Sequence, residues 1–400
     1  MKANIIIKSL IIISVPLLVV IGHVYNISAF VTSIYIPLFF ILSLFSNKNR
    51  HFIKSTQIRL YLLFFLLSLA SVYNAINTDF FFAEVKTQIG CIIFGIALFN
   101  YILINPAHIK YFFFSCILTT YFLAIYLFSS DTLSLKIEDN LDYRIDDETF
   151  NANMFPYYIF LASFSFFFLF QFQKGKAIKY IYLLSLPLYL YIIFSSGSRG
   201  GLIIFLLIQI LYWFYIGLGK VRNFIKSTVK LILTLLISLP VLTYSTNTIL
   251  EETNIGKRFN VLAEEGENTI RVVLVKLAFE KFQEYPFLGV GSGNFRLHNQ
   301  YYLFSHNNFM EILVNNGIFS FIVYVLIFVT TIQNILAIKR KTNNPDYKKK
   351  ADIIILFVLG FCLYSAFYVF MNVIPFTGFI FSLFALIYIM NYNVEYEGVE

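Results

Sequence analysis

Long apolar runs separated by short polar connections follow one another along nearly the whole chain. Runs of about 17–25 apolar residues have the length of a membrane-crossing helix. They fall at roughly 5–21, 28–45, 58–73, 89–104, 111–129, 154–171, 179–196, 200–218, 228–245, 308–335, 352–371 and 375–391. The pattern predicts an all-α polytopic integral membrane protein of about twelve spans. The first run has Lys2 and Lys8 around its start and no small-x-small cleavage site, so it is expected to stay as an uncleaved span. The one long polar interruption, about 246–305, lies between the ninth and tenth spans. One membrane domain over residues 1–400 is expected, with this loop and a short amphipathic helix inserted in it.

Composition agrees with the pattern. The chain has 400 residues, 58% hydrophobic and 19% aromatic, with only 13% charged, about half the charge of a soluble domain. The net charge of +8 is explained by sidedness and implies no nucleic acid. Two thirds of the 30 Lys and Arg residues fall on one side of the expected spans, including Lys48, Arg50, Lys54 and Arg59, Lys220 to Lys230, and Lys339 to Lys350. By the positive-inside rule that side is cytoplasmic. Both termini are then cytoplasmic, and the 246–305 loop faces the periplasm or cell exterior. A second outward connection, about 130–153, is acidic and is either a solvated loop or a sugar-contacting surface. Cys91, Cys116 and Cys362 sit inside apolar runs and read as small buried hydrophobes. No metal-ligand spacing, Walker motif, G-x-S-x-G or H-E-x-x-H occurs, so hydrolase, zinc protease and nucleotide-driven pump are unsupported. Ionisable residues are scarce in the spans, with Lys8, Glu311 and Asp352 near their ends, which argues against an ion-driven carrier.

The candidate chemistry is concentrated at two places. The first is S-S-G-S-R-G-G, where Arg199 opens the eighth span. Ser198 and Gly200 flank it, and the helix N-terminus adds its positive dipole end. The arrangement suits a diphosphate, and equally a lone arginine snorkelling to lipid headgroups. The second is the stretch from Arg271 to Gly317. Arg271 opens an amphipathic segment that ends at Pro286. At about 100° per residue it falls on the face of Val275, Ala278 and Phe282, opposite Lys276, Glu280 and Glu284. Asn268 and Thr269 before it are plausible caps. Gly289, Gly291 and Gly293 follow with the wrong spacing for a dinucleotide site and are expected to form a turn. His306, with Asn307 after it, sits where the chain re-enters lipid, and imidazole is the usual general base near neutral pH. An interfacial, hydrogen-bonded histidine is the plain alternative. His298 and Tyr301 could line a glycan site. His23, His51 and His108 have weaker contexts.

These residues resemble the O-antigen ligase and O-antigen polymerase superfamily of bacterial membrane proteins. The matching pieces are Ser198-Arg199-Gly200 opening a span, Arg271 through Pro286 to Gly289, Gly291 and Phe295 in the outer loop, and the His306-Asn307…Gly317 motif. Ile318, Phe319 and Ser320 stand where ligases often carry further glycines, so ligase and polymerase remain equally open. The resemblance implies glycan transfer at the outer face of the inner membrane, with the glycan on undecaprenyl diphosphate as donor. The acceptor would be a sugar hydroxyl, on lipid A–core for a ligase or on another lipid-linked repeat for a polymerase. It implies neither a nucleotide sugar nor an essential metal. Arg199 and Arg271 would neutralise the leaving diphosphate, and His306 would orient or deprotonate the acceptor hydroxyl. Membrane lipid and polysaccharide-assembly proteins are the expected partners. Two other classes stay open: a non-catalytic exporter of lipid-linked glycan or polysaccharide, and a non-catalytic partner of a polysaccharide synthase.

Overall fold

A computed structural model describes residues 2–22, 27–46, 52–129, 154–172, 176–213, 270–370 and 372–396. The expected ninth span at 228–245, the acidic connection 130–153, residues 246–269 of the outer loop with the expected caps Asn268 and Thr269, and His23 and His51 lie outside the described residues. Among the described residues there is no strand. The principal helices are α1 (Lys2–Pro16), α2 (Ile36–Ser46), α3 (Thr56–Ala70), α4 (Thr78–Ile104), α5 (His108–Ser129), α6 (Met154–Phe172), α7 (Lys176–Ser196), α8 (Arg199–Leu211), α9 (Ile270–Glu284), α10 (Asn308–Lys341), α11 (Pro345–Ser365) and α12 (Ile374–Tyr396). Eight described helices are long and apolar enough to cross a membrane, and two shorter apolar ones lie at Ile5–Ile21 and Arg199–Leu211. The protein is therefore all-α and polytopic.

One boundary moves the chemistry. The apolar run predicts a fourth span from about residue 89, but α4 starts at Thr78. Asn77 caps it, its side-chain oxygen accepting from the Asp79 and Phe80 amides, which satisfies amides that otherwise have no partner in the first turn. The extension puts Glu84 on a helix otherwise flanked by Phe80, Phe81 and Phe82.

The chain forms two compact units: Met1–Ser115 with Asn268–Glu400, and Cys116–Glu267. In the first, α4 packs against α12, α2 against α4, and α3 along α10. Lipid tails are as apolar as leucine, so close side-chain packing rather than burial from water holds such helices together. Gly95 of α4 faces Phe381, and a Cβ there would lie 2.6 Å from the ring. Aromatic contacts fill the remaining space: Phe64 with Tyr324 at 5.3 Å, Phe39 with Phe94 at 5.5 Å, Phe328 with Phe361 at 5.1 Å and Phe357 with Phe379 at 4.8 Å. In the second unit, α6 is apolar all round and buried from Phe155 to Leu169, as expected of a helix enclosed on every face. Phe167 of α6 stacks on Tyr212 just beyond α8 at 3.6 Å, and Tyr182 of α7 donates to Gln209 of α8 at 2.5 Å.

Candidate functional site

The site is built where α10 breaks. Gly317 adopts φ 76 and ψ 178 inside it, a region open in practice only to glycine. In an unbroken helix the Ile318 amide would bond to the Val314 carbonyl. Here Ile318 N donates to Pro286 O at 2.9 Å, while Val314 O and Asn315 O accept from Val290 N at 2.9 Å and Gly291 N at 3.0 Å. The loop after α9 thus satisfies the carbonyls that the break exposes, which at a membrane rim would otherwise be costly. Contact is backbone to backbone. A Cβ on Gly317 would collide with the Phe287 carbonyl, and one on Gly289, also at positive φ, with the Asn315–Asn316 peptide. The glycine run does form a turn, and it docks into the helix break.

Side chains extend this junction. Asn315 and Asn316 are both buried. Asn315 Oδ1 accepts from the Phe295 amide at 2.9 Å, and its Nδ2 donates to Glu311 Oε1 at 2.7 Å. Asn316 accepts from Ser292 Oγ at 2.8 Å and donates to Ser68 Oγ at 2.9 Å. Ser292 N donates to Ser71 Oγ at 3.1 Å, Asn74 donates to Gly289 O at 2.8 Å, and Asn77 N donates to Asn294 Oδ1 at 2.8 Å. The glycine loop is therefore bolted to the end of α3 and the start of α4.

Glu311, only 1% exposed, carries the network to His306. Its Oε2 accepts from the Ser305 amide at 2.7 Å. Ser305 Oγ donates to the Asn307 carbonyl at 3.0 Å, and Asn307 Oδ1 caps α10 by accepting from the Phe309 and Met310 amides at 3.0 and 3.1 Å. His306 lies between these two fixed residues at φ 55. That left-handed conformation costs a non-glycine residue about 1–2 kcal/mol, and strain of this kind gathers at functional sites. The result is a half-buried imidazole at the apex of a tight turn, held from both sides.

A second carboxylate stands nearby in the same unit. Glu84 Oε1 lies 3.5 Å from Arg296 Nη2, and Glu84 Oε2 accepts from Asn372 Nδ2. Arg296 donates to the Gly293 carbonyl at 3.1 Å and is flanked by the Phe80 and Phe304 rings, 4.5 and 4.6 Å from its guanidinium carbon. Glu84, Glu311 and Arg296 are within electrostatic reach of one another. Sequence reasoning singled out neither Glu84 nor Arg296. The available signal was a glutamate among phenylalanines, which needs a partner when buried.

The expected site residues divide between the units. Arg271 is the second residue of α9, half-buried on the face expected for it. Leu274 and Ala278 are buried on that helix, and Ala278 packs in a cluster with Val290, Phe295, Val314 and Met310, so α9 is seated on the glycine loop and the first turns of α10. His298 closes a short 3₁₀ turn, Phe295–His298, with its ring 6.2 Å from that of Tyr285. Its Nε2 is buried with no hydrogen-bond partner. Burial foremost, with Lys281 second and Glu284 opposing, pushes its pKa below the ordinary histidine value. Tyr301 is exposed, its amide donating to Asn299 Oδ1 at 3.1 Å. Arg199, half-buried at the first position of α8, belongs to the second unit with Ser198 and Gly200. Ser198 is the N-cap, accepting from the Gly201 amide at 3.3 Å. A Cβ on Gly201 would lie 2.5 Å from Pro156, so α8 starts hard against α6.

Residues 183–325 match the family model described as O-antigen ligase. The match supports the resemblance to the O-antigen ligase and polymerase superfamily. It runs from α7 through α8 and α9 to the broken part of α10 and takes in Arg199, Arg271, His306 and Gly317. Family and fold together support a multi-pass membrane glycosyltransferase of the ligase or polymerase type that handles lipid-linked glycans. No curated protein matches the chain significantly.

Proposed function

We propose that the protein transfers a glycan from undecaprenyl diphosphate to a sugar hydroxyl at the outer face of the inner membrane. The observation that carries this reading is His306, held in a left-handed turn by buried Glu311 within the stretch that matches the family. A ring nitrogen of His306 takes the acceptor hydroxyl proton as the acceptor oxygen attacks the anomeric carbon. The bond from that carbon to the diphosphate oxygen breaks, and undecaprenyl diphosphate leaves. Arg199 and Arg271 offset the charge that develops on the diphosphate. Ser198, Gly200 and Asn307 border the diphosphate and acceptor, and His298 and Tyr301 contact the glycan. The acceptor is lipid A–core for a ligase or a second lipid-linked repeat for a polymerase.

The deciding experiment is a gel of surface glycans from a strain lacking the gene. Core lipid bearing one repeat and no ladder identifies a polymerase. Bare core, with long polymer stranded on the carrier lipid, identifies a ligase. An unchanged ladder removes both and brings forward a non-catalytic exporter or assembly partner. In a purified assay with lipid-linked donor and acceptor, His306→Ala should lower turnover by about 10²–10⁴-fold, the usual worth of a general base.

A further inference from the structure

The early start of α4 builds a seat for a charged side chain two residues from the His306 turn. Phe80 and Glu84 are four residues apart on α4 and so share a face, and both are helical because the Asn77 cap opens that helix at Thr78. Asn77 and Asn294 bond in both directions, Asn77 N donating to Asn294 Oδ1 at 2.8 Å and Asn294 Nδ2 to Asn77 O at 3.2 Å, so the first turn of α4 and the glycine loop form one frame. Gly293 lies at φ 73, and a Cβ on it would come within 2.5 Å of Glu84 Cγ. The bare backbone lets Glu84 lie against the loop. Arg296 completes the seat. Its Nε donates to Gly293 O at 3.1 Å, its Nη2 lies 3.5 Å from Glu84 Oε1, and its guanidinium carbon lies over the Phe80 and Phe304 rings at 4.5 and 4.6 Å. The side chains of Arg296 and Glu84 are only 25% and 14% exposed, so losing either charge leaves the other poorly solvated. Glu84 Oε2 also accepts from Asn372 Nδ2, and Asn308 Oδ1 accepts from Phe370 N at 2.8 Å, which ties the connection from α11 to α12 both to Glu84 and to the first turn of α10.

We propose that Arg296 is a positioning residue for His306, acting through the ring of Phe304. The inference rests on the reading of His306 as the group that meets the acceptor hydroxyl. Just before His306 the backbone is held by Glu311, which accepts from Ser305 N at 2.7 Å. One such bond fixes a point but not a direction. The Phe304 ring, packed on Arg296, supplies a second fixed point, and the left-handed turn at His306 is then aimed from both. Arginine suits this task because a planar guanidinium presents a flat surface to rings while its edge bonds to a carbonyl and a carboxylate, which an ammonium cannot do. Glu84 answers the charge of Arg296 within the protein, so Arg296 is not a third cation for the diphosphate. That rival role makes opposite predictions for the same variants.

The test joins turnover to the NMR spectrum of the full-length protein carrying ¹³Cε1-labelled histidine. The chain has 5 histidines, and the His306 signal is assigned by its loss in His306→Gln. Arg296→Lys should broaden or split that signal while the signal of His108, on α5, stays in place. Glu84→Gln should do the same, because glutamine keeps an oxygen toward Asn372 only by turning its NH₂ toward Arg296, donor against donor. Each variant should lower turnover about 10²-fold, the effect of roughly 1 Å of misplacement, with the Michaelis constants for donor and acceptor unchanged. In a His306→Ala background Arg296→Lys should cause no further loss, since residues that act as a unit are not additive; a merely structural role would lower turnover again. Phe304→Tyr should keep turnover and Phe304→Leu lose it, and both leave the ion pair in place, so they decide the matter if the Arg296 variants do not fold. A wild-type His306 signal in Arg296→Lys overturns the inference. So does a raised donor Michaelis constant at unchanged turnover, or tighter donor binding in Glu84→Gln, either of which marks a diphosphate ligand. A wild type that transfers no glycan would instead remove the proposed activity, and the His306 signal would still judge the turn.

Discussion

Glu311 shows how much a single residue fixes in this protein. Both of its oxygens receive a donor, one from the Ser305 amide and one from Asn315 Nδ2. Glutamine has the same shape but must turn an NH₂ toward one of these donors. Asn315 has no free way to invert, because its own oxygen already accepts from Phe295 N. Glu311→Gln should therefore cost about 1–3 kcal/mol for the buried group left unsatisfied, seen as a lower melting temperature. If the His306 turn is what Glu311 serves, the rate of glycan transfer should fall while the Michaelis constant for the acceptor changes little. His298 gives a pH prediction. Its folded pKa lies below the ordinary value, so the unfolded chain takes up the proton first. Its neutral form carries no penalty above the unfolded pKa, about 6.5, and stability falls as pH drops below that value. Thermal melts from pH 7.5 to 5 should show this loss in the wild type and less of it in His298→Gln.

At the scale of elements, each apolar run within the described residues overlaps a helix, because a spanning helix has to be apolar over its whole length. The break in α10 was not legible as a break. Gly317 stood out only as part of the motif with His306 and Asn307, and its role as the break depends on Pro286 to Gly291, some thirty residues earlier in the chain. The start of α4 was missed for a related reason. Asp79, Glu84 and Lys86 lower the hydropathy of a segment that is helical by virtue of its Asn77 cap. The His306 and Arg271 segments stood out as candidates because a polar residue at the edge of an apolar run is conspicuous; Glu84 and Arg296 did not, since they pair with each other, and Glu84 with Asn372, only across long stretches of the chain. The docking of loop on helix predicts that Gly317→Ala and Gly289→Ala will each destabilise the protein by at least about 1–3 kcal/mol, the cost of forcing a side chain into such backbone. A melting temperature equal to wild type in either variant would contradict the backbone-to-backbone contact.

For the molecule as a whole, the distribution of charge sets the expected orientation, and it can be read directly. Lys276 on α9 and Lys341 at the end of α10 are both exposed. Cys91 and Cys116 are buried and Cys362 is half-buried, so a Cys362→Ser background suits single-cysteine labelling. In intact cells or spheroplasts, Lys276→Cys should react with a membrane-impermeant thiol reagent and Lys341→Cys only after lysis. The reverse result would place the glycine loop, and with it His306, on the cytoplasmic side.

The exchange of hydrogen bonds at the α10 break has a consequence for how the chain matures. As α10 enters the membrane, the carbonyls of Val314 and Asn315 are left without the amides that would normally close that turn. The partners arrive only when the segment that emerged before it folds back. Pro286 to Gly291 is in effect a replacement turn, supplied from elsewhere in the chain to finish a helix that cannot finish itself. The amides of Val290, Gly291 and Ile318 should then exchange with solvent deuterium together, at one common rate, as a single unit that opens or closes all at once. A turn that only draped over the helix would let Val290 and Gly291 exchange while Ile318 stayed protected.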